Sequence, residues 1–154
     1  MAYAEKTEIA FDKSVGETIS LIRKAGAQQI GQMELEDSFI LQFRLTDRLI
    51  RFTLPLPTVN EMPTRDGRNA VLTDSQREAR AEQRRRSLAR ALMLVIKAKL
   101  ESVESGIETT EQAFLANVVT ADGGTVYSKV RDALQVEYQS GKPTTYLLGF
   151  SSNP

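Results

Sequence analysis

The feature of this sequence that most constrains its fold is an alternation of apolar and polar residues between positions 39 and 56. Apolar side chains occupy every second position on each side of a central Asp47-Arg48 pair: Phe39, Leu41, Phe43, Leu45, Ile50, Phe52, Leu54 and Leu56. Period-two alternation is typical of β-strands that bury one face. A two-residue turn at Asp47-Arg48 predicts a hairpin in which Leu45 faces Ile50, and every large apolar side chain then lies on the same face.

An earlier segment, residues 28 to 35, extends this pattern into another strand. Its Met33 and Leu35 can join the apolar face through a short loop at residues 36 to 38. Pro55 and Pro57 cannot donate to a strand ladder and therefore end the last strand. Together these features predict a three-stranded antiparallel meander that helices cover on one side.

Helix signals lie on both sides of the predicted sheet. The stretch Ser14 to Glu17 has the S-x-x-E capping pattern, and apolar residues then recur at helical spacing up to a stop at Gly26. The longest helix is predicted over Ser75 to Ser105, with a second capping pattern at Ser75 to Glu78. Its first half has no residue larger than alanine on any apolar face, so it must project beyond the core or pack against something polar.

The rest of the chain completes an α+β fold class. A short helix is predicted over residues 110 to 116, a brief strand over 117 to 120, and a last helix over 126 to 140 that stops at Gly141. Residues 58 to 73 lack a period and are interpreted as a long exposed loop. Residues 143 to 154 form a tail, which either folds back or contacts a partner. We expect a single domain over 1–154: the meander packed on helices, with one long helix and a short terminal helical segment.

The chain contains no cysteine and no histidine. The first absence excludes disulfide scaffolds, thiolate zinc sites, iron–sulfur clusters and cysteine nucleophiles. The second removes the commonest general base and the imidazole metal ligands. A carboxylate with a hard cation, a lysine or a tyrosine is left for catalysis, and no spacing supports any of these. We therefore expect a non-enzymatic protein that uses no cofactor and no metal.

Two further groups of residues are candidates for sites. Glu101, Glu104 and Glu108 offer oxygen ligands to magnesium, but the row crosses a helix end and lacks an Asp-x-Asp pair, so a solvated face is the preferred interpretation. The tyrosines have no base or cation partner in the sequence and are assigned to packing. The longest uninterrupted apolar stretch, Ala91 to Ile96, is too short for a signal peptide or a membrane span. The default expectation is a soluble intracellular protein with no membrane partner.

Charge is unevenly distributed along this formally neutral chain. The 20 basic and 20 acidic side chains divide into 4 and 7 in residues 1 to 43, 13 and 6 in residues 44 to 99, and 2 and 7 in residues 100 to 140, and the tail adds Lys142. The middle block is dominated by arginine, which binds phosphate or carboxylate in a bidentate manner. A basic block of this kind is typical of nucleic-acid-binding surfaces.

Two arrangements of arginines carry this interpretation. In the predicted hairpin, Arg44 and Arg51 lie directly opposite each other on the polar face, where like charges repel unless an anion bridges them. On the long helix, arginines recur at i, i+3 and i+7 from Arg77. The predicted nucleic-acid-binding residues are Arg44, Arg48, Arg51, Arg77, Arg80, Arg84, Arg85, Arg86 and Arg90.

Other interpretations of the same charges stay open. The arginines can form a solvated face, paired with Glu78 and Glu82 or with the acidic stretch near residues 101 to 111 of the same or a neighbouring chain. In the second case the basic half of the long helix and its acidic end dock between copies, which makes a homo-oligomer. An enzyme that uses a carboxylate-bound metal is a further, weaker alternative.

Several stretches of the sequence resemble a known family. These are AEKT near the start, the helix end at Gly26-Ala27, IRFTLPLP (Ile50 to Pro57), LMLVIKAKLESVESGIETTEQAFLANVV (Leu92 to Val119), and the Asp122-Gly123 turn. In these stretches the chain resembles a widespread family of small tailed-bacteriophage proteins of unknown function.

The resemblance implies a phage product that acts in the cytoplasm of the bacterial host. Members of the family commonly lie among genes for DNA replication and recombination, which favours a nucleic-acid-binding accessory protein. The alternative is a phage inhibitor of a host protein, of anti-defence or anti-CRISPR type, that acts by protein contact.

Overall fold

The computed structural model describes residues 3–144 and residue 147. Within these residues the chain has an α+β fold, a three-stranded antiparallel sheet packed on helices, as predicted. The elements follow in the order α1 (Phe11–Lys24), β1 (Gln28–Glu34), β2 (Ser38–Leu45), β3 (Arg48–Pro55), α2 (Asp74–Glu104), α3 (Thr110–Phe114) and α4 (Val126–Ser140). Most of the predicted 143–154 tail, including Tyr146 and Phe150, lies outside the described residues.

The sheet is a meander in the order β1-β2-β3, but the hairpin turn lies one residue earlier than predicted. Leu45 pairs with Arg48, and the turn consists of Thr46 and Asp47, whose φ angles are 48° and 60°. Positive φ at both central residues matches the right-handed twist of the flanking strands. The register differs from the predicted one by two residues, which leaves every side chain on its predicted face.

The apolar face of β2 and β3 is the centre of the core. Leu41, Phe43 and Ile50 are fully buried there, against Ile22 of α1 and Ile96 of α2. Because α1 and α2 supply these residues, both helices lie on the same side of the sheet. The outer face of the sheet therefore carries the alternate positions, where polar residues are mixed with Met33, Ile40 and Leu49.

Strand β1 contributes less to the core than predicted. Met33 pairs with Ile40 and so lies on the outer face, where it remains 55% exposed, and Leu35 is 46% exposed. The prediction that both join the core face is wrong, because the pairing with β2 places odd-numbered residues of β1 on the outer side. Only Ile30 packs against the core from this strand.

Helix α1 begins at Phe11, one turn before the predicted cap. The Phe11 ring packs edge-on against Phe39 at 5.4 Å between centroids, and this contact favours helix upstream of Ser14. Ser14 is therefore inside the helix and buried, and its hydroxyl has no hydrogen-bond partner among the described residues. The predicted stop is confirmed, since Gly26 has a φ of 94° and its N–H donates to the Arg23 carbonyl.

Helix α2 is capped by Thr73 and Gln76, not by Ser75 and Glu78. The Thr73 hydroxyl accepts from the Gln76 N–H at 3.2 Å, and the Gln76 side chain accepts from the Thr73 N–H at 2.9 Å. The polar first half of α2 does pack against polar groups, one of the two predicted alternatives. There the Gln83 amide donates to the backbone carbonyls of residues 5 and 7.

The segment before α2 is exposed, as predicted for residues 58–73, and none of its residues is buried. It is not without structure, because Val59–Glu61 forms a 3-10 turn and Arg65 bridges to Val71. The Asp66 side chain stabilises the bend between Arg65 and Val71 by accepting hydrogen bonds from the Arg68 and Ala70 N–H groups.

The C-terminal elements differ from their predicted limits in two places. Helix α3 ends at Phe114 and continues as a 3-10 turn over Leu115–Asn117. The predicted strand at 117 to 120 consists of isolated bridges, from Val118 to Ile50 and from Val119 to Thr125. Helix α4 has the predicted limits and ends at Gly141, which has a φ of 67°.

Candidate nucleic-acid interface

The arginines of the sheet do not form the facing pair that was predicted. Arg44 pairs with Leu49, and Arg51 pairs with Gln42, so the two guanidinium groups are not directly opposite. The cause is the turn at Thr46-Asp47, which shifts the register by two residues. Both side chains still extend from the outer face of the sheet.

Each sheet arginine is bound to a neighbouring group. Arg51 donates to the Gln42 side-chain oxygen at 3.0 Å and to the Gly123 carbonyl at 2.7 Å. Arg44 donates to the Gln29 side-chain oxygen at 3.0 Å. The Arg51 contact connects the outer face of the sheet to the turn before α4, whereas the Arg44 contact stays within the sheet, between β2 and β1.

The third sheet arginine, Arg48, forms an ion pair with Glu111 of α3, with 2.5 Å between Nε and Oε2. The pair links the start of β3 to α3. Both side chains remain about half exposed, so the interaction is screened by solvent and contributes little to stability.

Two arginines of α2 hold the helix to preceding segments. Arg77 donates to the Met62 carbonyl at 3.2 Å and the Asn60 carbonyl at 3.4 Å, which fastens the 58–73 segment to the helix. Arg85 pairs with Glu34 at the end of β1 at 2.8 Å. Both partners lie far away in the sequence, so helical spacing cannot reveal them.

Two more arginines of α2 have acidic or amide partners. Arg86 donates to the Gln83 oxygen at 3.1 Å and lies 3.9 Å from the Glu82 carboxylate. Arg90 donates to Glu17 of α1 at 2.5 Å. The Arg86–Glu82 contact and the Arg48–Glu111 ion pair match the alternative interpretation as paired surface charges, whereas the Glu17 partner of Arg90 lies outside the predicted set of partners.

Arg80 and Arg84 differ from the other seven predicted residues. Both are exposed, and within residues 3–144 neither side chain has a hydrogen bond or an ion pair. Their neighbours at i±3 and i±4 are Gln76, Arg77, Gln83, Ala81, Ser87 and Leu88. Glu78 and Glu82 stand two positions before Arg80 and Arg84, a spacing that turns them to another side of the helix.

The two groups of arginines do not share one face of the sheet. Arg44 and Arg51 extend from the outer face, whereas α2 covers the inner, apolar face. Of the predicted residues on α2, only Arg80 and Arg84 are both exposed and without a side-chain partner among the described residues. We call this pair the free arginine pair.

An open groove of about 610 Å³ runs between α1 and α2. The Arg90–Glu17 ion pair and the side chains of Lys24 and Lys97 line it. The one carboxylate in its lining is thus occupied by an arginine. Across the described residues, no cluster of three or more acidic side chains is arranged to hold a metal ion.

The Asp122 carboxylate accepts several hydrogen bonds in the turn before α4. Lys129 donates to the Asp122 carboxylate at 2.6 Å, and the Thr120 hydroxyl and the Gly124 N–H donate to it as well. These hydrogen bonds, that of Lys129 first, hold the pKa of Asp122 well below its ordinary value. Every donor belongs to the turn or to α4, so the carboxylate stabilises the start of that helix.

Two tyrosines of α4 are exposed, contrary to their assignment to packing. Tyr138 is 89% exposed and Tyr127 is 56% exposed. They lie eleven residues apart, about three helical turns, and so on one side of the helix. The sequence signal that could have revealed this is the single weak apolar stripe of α4, which leaves no core position for two aromatic rings.

Comparisons with known proteins found no protein similar to this chain. No protein-family model matches the chain, and the searches of curated proteins and of solved structures found no similar protein. The resemblance to small tailed-phage proteins therefore stays a prediction. Among the described helices, none combines the length and apolar character needed to cross a bilayer.

Proposed function

We propose that this protein is a non-enzymatic accessory protein that binds the phosphate backbone of nucleic acid through the free arginine pair. The observation that carries the proposal is that Arg80 and Arg84 are exposed and have no partner within residues 3–144, while their arginine neighbours are bound. Following the phage resemblance, the proposed setting is the cytoplasm of the bacterial host.

The electrostatics of the helix support this choice of residues. Arg77, Arg80 and Arg84 are close together on one side of α2, where like charges repel. A bound anion relieves that repulsion, and a helix rise of 1.5 Å per residue separates Arg80 from Arg84 by about 6 Å along the axis. Two guanidinium groups at this spacing can contact neighbouring phosphates of one strand.

Binding of this kind depends steeply on salt and weakly on base sequence. Phosphate contacts position a protein on nucleic acid without reading bases, and each contact releases counterions. A surface centred on two arginines gives weak binding at physiological salt. The protein would therefore act beside other nucleic-acid-binding proteins rather than as an independent reader of sequence.

The test is fluorescence anisotropy with a labelled single strand and a labelled duplex, titrated from about 50 to about 200 mM salt. Arg80→Ala with Arg84→Ala should weaken binding and reduce the salt slope by about two. The matched control is Arg85→Ala with Arg86→Ala, which removes the same charge from bound arginines and should keep most of the affinity. Absence of salt-dependent binding by the natural protein, or an equal loss in both variants, refutes the proposal.

A second candidate function is inhibition of a host protein by direct contact, the predicted alternative. The exposed Tyr127 and Tyr138 favour it, because tyrosine is enriched in protein interfaces. Pull-down from nuclease-treated host lysate tests this candidate. A captured host protein that Tyr127→Ala with Tyr138→Ala releases, but that Arg80→Ala with Arg84→Ala retains, supports contact through α4. Capture that nuclease treatment abolishes supports nucleic-acid binding instead.

A further inference from the structure

Strand β1 is an edge strand whose outer side is unpaired within the described residues. It is first in the sheet order, and its backbone pairs only with β2. The other edge is different, because Val118 and Val119 hydrogen-bond or bridge to β3. An open strand edge is a template for pairing with another chain.

The register identifies the groups that face outward. The Leu35 N–H donates to the Ser38 carbonyl at 2.8 Å, so Leu35, Met33 and Gly31 direct their backbone groups toward β2. The alternate residues Gln32 and Glu34 then direct their N–H and carbonyl groups to the open edge. The stretch from Gly31 to Glu34 is regular, because the register shift in the strand lies before it, between Gln28 and Gly31, where Gln29 has a φ of 52°.

Most devices that protect edge strands are absent from β1, and its one bulge lies before the regular stretch Gly31 to Glu34. The strand Gln28–Glu34 contains no lysine, arginine or proline. Its one charge, the Glu34 carboxylate, is already paired with Arg85. Two copies of this edge therefore approach each other with little electrostatic repulsion.

We propose that β1 pairs antiparallel with β1 of a second copy of this chain, about a twofold axis at Gln32. Gln32 then exchanges both backbone hydrogen bonds with its symmetry mate, and Ile30 pairs with Glu34 of the second copy. Met33, which is 55% exposed, lies opposite Gly31 of the second copy. The space beside Gly31 is open, with no atom within 4 Å of an added Cβ, so the methionine has room there.

This self-complementarity favours a second copy over an unrelated strand. One twofold operation satisfies the same outward groups in both chains and places each exposed Met33 against the partner's glycine. It also keeps the two Glu34 carboxylates apart, since each faces an isoleucine. The two meanders join into one six-stranded sheet.

Disulfide trapping tests the proposed axis. The chain has no cysteine, so Gln32→Cys introduces the only thiol. Hydrogen-bonded antiparallel pairs have Cα atoms about 5.5 Å apart, within the range for a disulfide. Under mild oxidation Gln32→Cys should form dimers much faster than Thr53→Cys, an exposed thiol on β3. Faster trapping through Gly31→Cys or Met33→Cys than through Gln32→Cys overturns the axis at Gln32.

Sedimentation gives an independent measurement on the natural chain, which should dimerise with rising concentration. Gln32→Pro removes the outward N–H and leaves the β2 ladder intact, so it should weaken dimerisation by more than about tenfold through two lost hydrogen bonds. Gln32→Thr keeps the N–H and should still dimerise. A natural chain that is monomeric at every concentration, with Gln32→Cys no faster than Thr53→Cys, overturns the proposal and leaves the edge to a strand of another protein.

Discussion

The guanidinium of Arg90 on α2 donates a 2.5 Å hydrogen bond to the carboxylate of Glu17 on α1. The two side chains retain 23% and 39% of their exposure, so the ion pair is partly shielded from solvent. It lies at the groove between the two helices that cover the sheet. An arginine predicted to contact phosphate therefore connects two helices of the fold.

Replacing Arg90 with alanine should lower the free energy of unfolding by about 1 kcal/mol, since a charge-assisted hydrogen bond and some aliphatic packing are lost. Urea denaturation measures this loss. The exposed Arg84→Ala is the matched control and should stay within about 0.5 kcal/mol of the natural protein. Equal losses in both variants would show that the Arg90–Glu17 contact contributes nothing specific.

The N-terminal cap of α2 provides a second prediction. Thr73→Ala removes the hydroxyl that accepts from the Gln76 N–H and should lower the free energy of unfolding by about 1 kcal/mol. Ser75→Ala, at the cap expected from the sequence, should change it by less than about 0.5 kcal/mol. Thermal and urea denaturation of both variants decide between the two caps. A larger loss from Ser75→Ala contradicts the observed capping box.

The alternation from Phe39 to Leu56 was enough to predict the sheet and its buried face. It could not place the turn, because registers that differ by two residues leave the same side chains on the same face. The choice between the two registers depends on the left-handed backbone at Thr46 and Asp47, a conformation that neither residue type strongly predicts. The predicted Arg44–Arg51 pairing was wrong for this reason alone.

The candidate site was harder to predict than the fold. Helical spacing placed the arginine rows on α2 correctly, but it reveals only partners three or four residues away. Arg85 and Arg90 are neutralised by Glu34 and Glu17, which are 51 and 73 residues distant. Tertiary packing therefore decides which of the nine predicted arginines stay free, and among the described residues these are Arg80 and Arg84.

A third prediction concerns pH and the Asp122 turn. Folding lowers the pKa of the Asp122 carboxyl, so its ionised form stabilises the folded state when the pH is above the pKa in the unfolded chain, near 4. This stabilisation is lost as the pH falls toward the pKa in the folded protein. Asp122→Asn should therefore be less stable than the natural protein at neutral pH, and the difference should narrow steadily below about pH 4.

Urea denaturation at a series of pH values measures that difference. Asp132→Asn is the control, because within residues 3–144 the Asp132 carboxylate has one ion pair, with its exposed neighbour Arg131 at 3.3 Å. Its difference from the natural protein should stay near zero across the series. A difference for Asp122→Asn that stays constant down to about pH 2 would contradict a role for the ionised carboxylate.

For Ser14→Ala, the sequence and the structure predict changes of opposite sign in the free energy of unfolding. As the cap of α1, the Ser14 hydroxyl would stabilise the helix, and Ser14→Ala would lower the free energy of unfolding by about 1 kcal/mol. In the structure Ser14 is buried inside α1 and its Oγ has no partner among the described residues. Ser14→Ala should therefore raise the free energy of unfolding by about 1 kcal/mol, through relief of an unsatisfied polar group and better helix propensity.

Thr18→Val is the opposing control, because the buried Thr18 hydroxyl donates to the Ser14 carbonyl at 2.8 Å and its loss should lower the free energy of unfolding by about 1 kcal/mol. Urea denaturation of both variants supplies the signs, and a destabilised Ser14→Ala would restore the cap at Ser14.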